Sequence, residues 1–534
     1  MIKKISIFVL LIVLLTTSLN SQIASNTIYN IVDFGAVADG KSLSTQAIQI
    51  AVDKCSETGG TVLIPAGTFL TGSIELKSNV DIYLQQGALL LASTNIDDYK
   101  SFIPELKSYN DLFLEYSIFY AEKKENISIR GEGTIDGQGW AFQATTLKKP
   151  DRYKNRPYVI RFVQCKNIKI MNVTLQNSAM WMQQYLACED LIIRGIRVYN
   201  HVNKNNDMID IDGCKNVIIS DCIGDTDDDA LTLKSTSPHI TENVTITNCV
   251  LSSHCNAIKF GTESTGGFRN ITISNIVIKP SSSETKIYGF DEGISGITLA
   301  TVDGGIIEGI LINNIRIDGP QVPIYLRLGN RARKHTENAP TPEVGIFKDV
   351  MISNVIATNI KSTGSSITGI PGHKIENVVL ENIYIEYGGG GTLEDADKII
   401  PELEDHYPES TKWGLLPSYG FYVRHAENIT LNNIEVKFKE PELRPAFIFE
   451  NVVGLRMSLI KAECDQNTKS IIKFNNVFDA SIFNSMAASP VENFLIVEGE
   501  DSDNIRLIGN DFSNVNDGVL NKTNAEIKLN GNIR

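Results

Sequence analysis

The 534-residue chain is short of basic charge, of paired cysteines and of long apolar runs. Its net charge of −14 at pH 7 argues against nucleic acid as a partner, and against any polyanion unless cations are gathered locally. The eight cysteines (Cys55, Cys165, Cys188, Cys214, Cys222, Cys249, Cys255 and Cys464) do not make a disulfide scaffold at this length, and none is spaced C-x-x-C as zinc ligands would be. Cys222 and Cys249 recur at equivalent places, in S-D-C and T-N-C, which leaves open stacked thiols or a bridge formed after export. The apolar run from Ile5 to Leu15 is shorter than the roughly 20 residues needed to cross a bilayer. Lys3 and Lys4 precede it and small polar residues follow, so residues 1–22 read as a signal peptide. No cysteine follows to take a lipid, and no later segment reads as a membrane span. The expected location is periplasmic or extracellular, and the expected state monomeric.

What is present is a repeat. Residues Thr45 to Glu57 carry Ala47, Ile48, Ala51, Val52 and Cys55 at helical spacing, and Gly59-Gly60 stops them, which predicts one short capping helix. From about residue 126 a phrase recurs: a polar residue, often Asn, then alternating apolar residues, then a second Asn or Gly. Copies begin at Asn126, Asn167, Asp190, Asn216, Asn243, Asn270, Asp349, Asn377, Asn428 and Asn504, with central spacings of 26, 27 and 27 residues. Short strands at a fixed period, with no helix between them and no leucine-rich register, predict an all-β solenoid. Asn suits the tight bends because it tolerates left-handed backbone. The expected organisation is one domain over 23–534, with a cap at about 23–93 and loop insertions near 94–125, 280–292, 330–346 and 387–420. The last insertion, rich in Gly, Pro and aromatics, reads as a wall, a lid or a plain connection.

The stretch from Asn205 to Glu263 holds two acidic clusters one repeat apart. Asp207 and Asp229 are separated by 22 residues, and each runs into an alternating strand, Ile209/Ile211 and Leu231/Leu233. If those apolar residues point inward, Asp207 and Asp229 share one direction on adjacent coils, Asp228 points to the other side, and Asn256 comes third in the stack. Like charges so close should perturb at least one pKa. Asp225, Asp227, Asp228 and Asp229 would by count also suit a calcium site or a solvated turn.

These residues resemble glycoside hydrolase family 28, the polygalacturonase and rhamnogalacturonan hydrolase family. The likeness runs over nearly the whole mature chain: Y-N-I-V-D-F-G-A near the start, G-T-I-D-G-Q-G-W at Gly133–Trp140, R-P-Y-V-I-R-F at Arg156–Phe162 and N-S-A-M-W at Asn177–Trp181. Asn205-Asn206-Asp207 and Asp228-Asp229 match its two catalytic motifs. The resemblance implies a right-handed, single-stranded parallel β-helix and inverting hydrolysis without metal or cofactor. Asp228 would be the general acid, and Asp207 with Asp229 would hold and deprotonate the water. Inversion asks for acid and base roughly 6.5–9.5 Å apart.

Two family motifs are absent. Where polygalacturonases carry G-H-G, this chain has H-C-N-A-I-K-F-G, so Asn256 takes the place of the histidine and His254 sits two residues earlier. The R-I-K strand reads G-I-S-G-I-T-L-A-T, without a cation; Lys259, Arg327 and Arg331 are the nearest replacements. The expected substrate-binding set is therefore Asn206, His254, Asn256, Lys259, Arg327 and Arg331. The favoured substrate is the galacturonosyl–rhamnose bond of rhamnogalacturonan. A polygalacturonase is the nearer alternative, and a β-helical lyase or a noncatalytic glycan-binding solenoid the more distant one.

Overall fold

Each strand pairs in parallel with the strand one coil away, and the ladder winds into a right-handed parallel β-helix. The computed structural model describes residues 27–109, 114–146, 148 and 151–533. The expected signal peptide lies outside them. Helix α1 (Thr45–Thr58) buries the five predicted apolar residues, and Gly59, at φ 74, ends it. Strands Gly60–Ile64, Gly67–Thr71, Val80–Leu84 and Ala88–Ala92 already pair with coils further on, so the cap is α1 itself rather than the whole of 23–93.

Six strands floor the region of interest: β1 (Gln183–Leu186), β2 (Ile209–Asp212), β3 (Leu231–Ser235), β4 (Asn256–Ser264), β5 (Ser295–Thr301) and β6 (Val322–Leu328). Ile209, Leu231, Ile258, Ile297 and Ile324 stack in register across β2 to β6, and Ile211, Leu233, Phe260, Leu299 and Leu326 form a second column. All ten are buried. At about 1.5–3 kcal/mol for each fully buried side chain, these columns pin the register that sets the side chains on the other face.

The recurring Asn is the bend. Asn126, Asn167, Asn216, Asn243 and Asn270 have φ between 53 and 58°, and amides bond from coil to coil, as in Asn167 Nδ2 to Asn126 Oδ1 at 2.7 Å. Gly309, at φ 67, takes this position in Ile306–Asp318, a coil that a search for Asn passes over. Phe447–Ala462 and Ser470–Phe483 are further coils of this kind.

The first insertion ends earlier than expected, because Ser117–Glu122 and Glu125–Gly131 are strands. The last, between Gly389 and Phe421, is a folded wall: Ile400, Trp413 and Leu416 pack with Val322, Tyr325 and Tyr422 in a small core outside the coil. All eight cysteines are buried free thiols, and the register puts Cys222 beside Cys249. Among the described residues no helix is long and apolar enough to cross a membrane.

Candidate active site

Asp207 and Asp229 stand two residues before the first inward residues of β2 and β3, and Asn256 holds that place at the start of β4. The register therefore sets the three in one column, continued by Ser295. Asp229 is bonded on both oxygens. Asn256 donates its backbone N–H and its Nδ2 to Oδ1 at 3.1 and 2.6 Å, and Lys259 Nζ donates to Oδ2 at 2.6 Å. Ser295 Oγ in turn donates to Asn256 Oδ1 at 2.7 Å, which fixes the amide. Lys259 also meets Tyr407 Oη at 3.2 Å, so the 387–420 insertion reaches the column.

A second cation stands beside Asp207. Lys234 Nζ lies 3.5 Å from Asp207 Oδ2, 3.4 Å from Asp210 Oδ1 and 3.7 Å from Glu263 Oε2, and 4.4 Å from the centre of the Trp181 ring. Burial alone would lower both lysines. Nearby carboxylates, chiefly Asp207 for Lys234 and Asp229 for Lys259, hold them well above their usual value instead. Burial, then the Asp210 carboxylate, push Asp207 well up, and Asp210 is itself pushed up by burial against the pull of Lys234. The pair thus holds a proton more firmly than free carboxylates would.

Asp228 differs from its neighbours. It is only partly buried, and burial followed by the Asp229 charge push it up to about 6. It is not carried to a separate face, as strict alternation predicted. It precedes the strand, at a bend, and lines the same cavity as Asp207 and Asp229. That cavity has two chambers. The small one, about 110 Å³, is lined by Tyr109, Trp181, Asp207, Asp229, Lys234 and Glu263. The large one, about 530 Å³, is lined by Arg152, Asn256, Tyr288, Phe290, Ile294 and Glu409. Asp228, Lys259, Tyr407, Tyr153 and Asn205 border both.

Of the expected binding residues, Asn256 and Lys259 are brought to the carboxylates. Asn206 is fully buried and its neighbour Asn205, at φ 53, faces the cavity instead. His254 is 1% exposed and bonds Asp227 Oδ1 through Nδ1 at 3.0 Å, away from both chambers. Arg327 donates to the carbonyls of Gly369, Glu402 and Leu403 and anchors the last insertion. Arg331 is spent on Asp303, at 2.6 Å, and on the Thr262 carbonyl. His254, Arg327 and Arg331 are thus bonded within the fold and support the cleft without lining it.

Residues 55–400 match the profile of Glycosyl hydrolases family 28. The chain belongs to that family. It is similar to a "Probable polygalacturonase" of Vitis vinifera, 36% identical over 221 residues, 39% of this chain and 44% of that protein. It is also similar to an "Exo-poly-alpha-D-galacturonosidase" of Dickeya chrysanthemi, 29% identical over 269 residues, 40% of this chain and 44% of that protein. The matches thus span less than half the length of these relatives. Two solved structures share the fold. A hyperthermoactive exopolygalacturonase from Thermotoga maritima has a TM-score of 0.58 at 20% identity over 77% of this chain and 92% of that one. A polygalacturonase from Erwinia carotovora has 0.54 at 22% identity over 65% and 92%.

Within this family 28 chain, sequence reasoning missed Lys234, Asp210, Trp181, Glu263 and Tyr407. For the first two a signal existed. Asp210 lies between the inward residues Ile209 and Ile211, and Lys234 follows Leu233, so alternation turns both outward onto the cleft floor. Tyr407 had none, because the course of so long an insertion is not written in its local pattern. One carboxylate oxygen of Asp228 lies within 4.8 Å of one of Asp229.

Proposed function

We propose that the protein is an inverting glycosidase that hydrolyses α-galacturonosyl linkages in pectic polysaccharide, with the galacturonosyl–rhamnose bond of rhamnogalacturonan favoured. The observation that carries this reading is the position of Asp228, partly exposed, raised to about 6 and bordering both chambers. A galacturonate ring enters the small chamber against Trp181, its carboxylate directed to Lys234 and Lys259. The leaving sugar occupies the large chamber. Asp228 protonates the glycosidic oxygen between them as the C–O bond breaks. A water held by Asp229 loses its proton to Asp207 as it bonds the anomeric carbon on the opposite face. Asn256 and Lys259 fix the Asp229 carboxylate by bonds to both of its oxygens, and Lys234 favours the ionised form of Asp207 that accepts the proton. Phe290 and Ile294 give the leaving-sugar chamber an apolar side suited to the methyl of rhamnose.

Arg152 favours a second reading. Its guanidinium lies in the large chamber, bonded to Asn205 Oδ1 at 3.2 Å and to the Tyr288 hydroxyl, where it would also suit the carboxylate of a second galacturonate. That would make the protein a polygalacturonase. Incubation with rhamnogalacturonan oligosaccharides and with polygalacturonate, followed by product sizing, separates the two. Faster galacturonate release from polygalacturonate overturns the rhamnogalacturonan preference. Such an enzyme would meet its polymer outside the cytoplasm, in keeping with the export read from residues 1–22.

A further inference from the structure

Two buried histidines lie outside both chambers, and the hydrolysis just described gives them no task. His201 and His254 are 2% and 1% exposed, and their rings meet at 5.1 Å. Each holds a carboxylate: His201 Nε2 is 3.0 Å from Asp225 Oδ1, and His254 Nδ1 is 3.0 Å from Asp227 Oδ1. Both carboxylates reach on to the 280–292 insertion. Asp225 accepts from Ser281 Oγ at 2.6 Å, and from the Oγ and backbone N–H of Ser282 at 2.7 and 2.9 Å. Asp227 accepts the N–H groups of Ile287 at 2.5 Å and Tyr288 at 3.0 Å. The His254 carbonyl takes the N–H of Phe290 at 2.9 Å. By composition His201, Asp227 and His254 would suit a divalent cation. Both Asp227 oxygens, however, are already taken by N–H donors, which is the bonding of a clamp.

Beyond the clamp lies the wall of the large chamber, where Tyr288 and Phe290 face the cavity. We propose that His201 and His254 are positioning residues: through Asp225 and Asp227 they pin segment 281–290, so that Tyr288 and Phe290 form a fixed wall for the departing sugar. This rests on the reading of the large chamber as the leaving-group side. A wall displaced by about 1 Å is enough to cost up to 100-fold in turnover of a substrate that must be aligned against it.

The test compares His201→Gln and His254→Gln in the full chain on two substrates. One is a galacturonosyl–rhamnose oligosaccharide. The other is α-galacturonosyl fluoride, whose leaving group is too small to touch the wall. The expected result is at least a roughly tenfold loss of kcat/KM on the oligosaccharide, mainly through kcat, with the fluoride changed by less than about threefold. Amide exchange in 281–290 should accelerate in the same variants. Phe290→Ala, a change at the cavity surface that leaves the clamp intact, should reproduce the kinetic split, and its combination with His254→Gln should cost no more than the worse single change. Equal losses on both substrates, or unchanged exchange in 281–290, overturn the proposal. So does one equivalent of zinc bound by the wild type and lost in His254→Gln. Wild-type protein that hydrolyses neither substrate would instead sink the glycosidase reading, while the exchange measurement still decides whether the clamp exists.

Discussion

Asp228→Asn should make the protein at once less active and more stable, and the two effects should part along the pH axis. The native carboxyl is held up to about 6 against an ordinary 3.8, by burial and by Asp229. A raised carboxyl binds its proton more tightly in the folded state. Its contribution is therefore neutral at low pH, and it costs stability as pH rises from the unfolded value through the folded one. Above pH 7 the cost is on the order of 3 kcal/mol, from a difference of about 2.2 at 1.36 kcal/mol each. Asparagine never ionises and escapes it. Thermal melts should show the variant more stable at pH 8 and nearly matched to wild type at pH 4. Turnover should fall by about 10²–10⁴-fold, because the amide cannot protonate the leaving oxygen. In the wild type the alkaline limb of kcat/KM should fall near pH 6, with only about a tenth of Asp228 protonated at pH 7 in the free enzyme. A variant that melts lower at pH 8, or an alkaline limb untouched by the substitution, would refute the reasoning.

Lys234→Met should raise KM for galacturonosyl substrates at least about tenfold, since it removes a cation from the small chamber and leaves Asp207, Asp210 and Glu263 facing one another; equal KM in steady-state assays would remove Lys234 from substrate binding. Arg327→Met should destabilise by about 1–3 kcal/mol in denaturant unfolding by leaving the buried Gly369 carbonyl and the part-buried carbonyls of Glu402 and Leu403 without their donor, and should loosen Tyr407 without altering the pH profile. Exhaustive dialysis against a chelator should leave the initial rate unchanged, because proton transfer among Asp207, Asp228 and Asp229 needs no metal; a loss restored by calcium would point to the lyase reading.

The solenoid was legible because its two determinants are local. Alternating apolar residues state the inward face, and Asn in left-handed backbone marks each bend. Where Gly309 does the same work the signal vanished, and with it the coil Ile306–Asp318. The column of Asp207, Asp229 and Asn256 followed from the same alternation, since register on the buried face dictates register on the cleft face. It failed for Asp228, which sits on a bend where alternation no longer binds direction. Of the expected cations Lys259 reaches the column, whereas the two arginines are held elsewhere for a different reason. Arg327 and Arg331 stand near the site in sequence, but backbone carbonyls and Asp303 claim them, and only the folded packing shows which charge is spoken for.

The most direct test of the account is the anomeric form of the first product. Hydrolysis of a galacturonosyl–rhamnose oligosaccharide, followed by proton NMR from the first minutes, should show β-galacturonate appearing before mutarotation brings in the α form, with no unsaturated uronate. α-Galacturonate formed first would place a carboxylate on the anomeric carbon instead of a water, and would contradict the account. An unsaturated product would mean that these carboxylates do not hydrolyse at all.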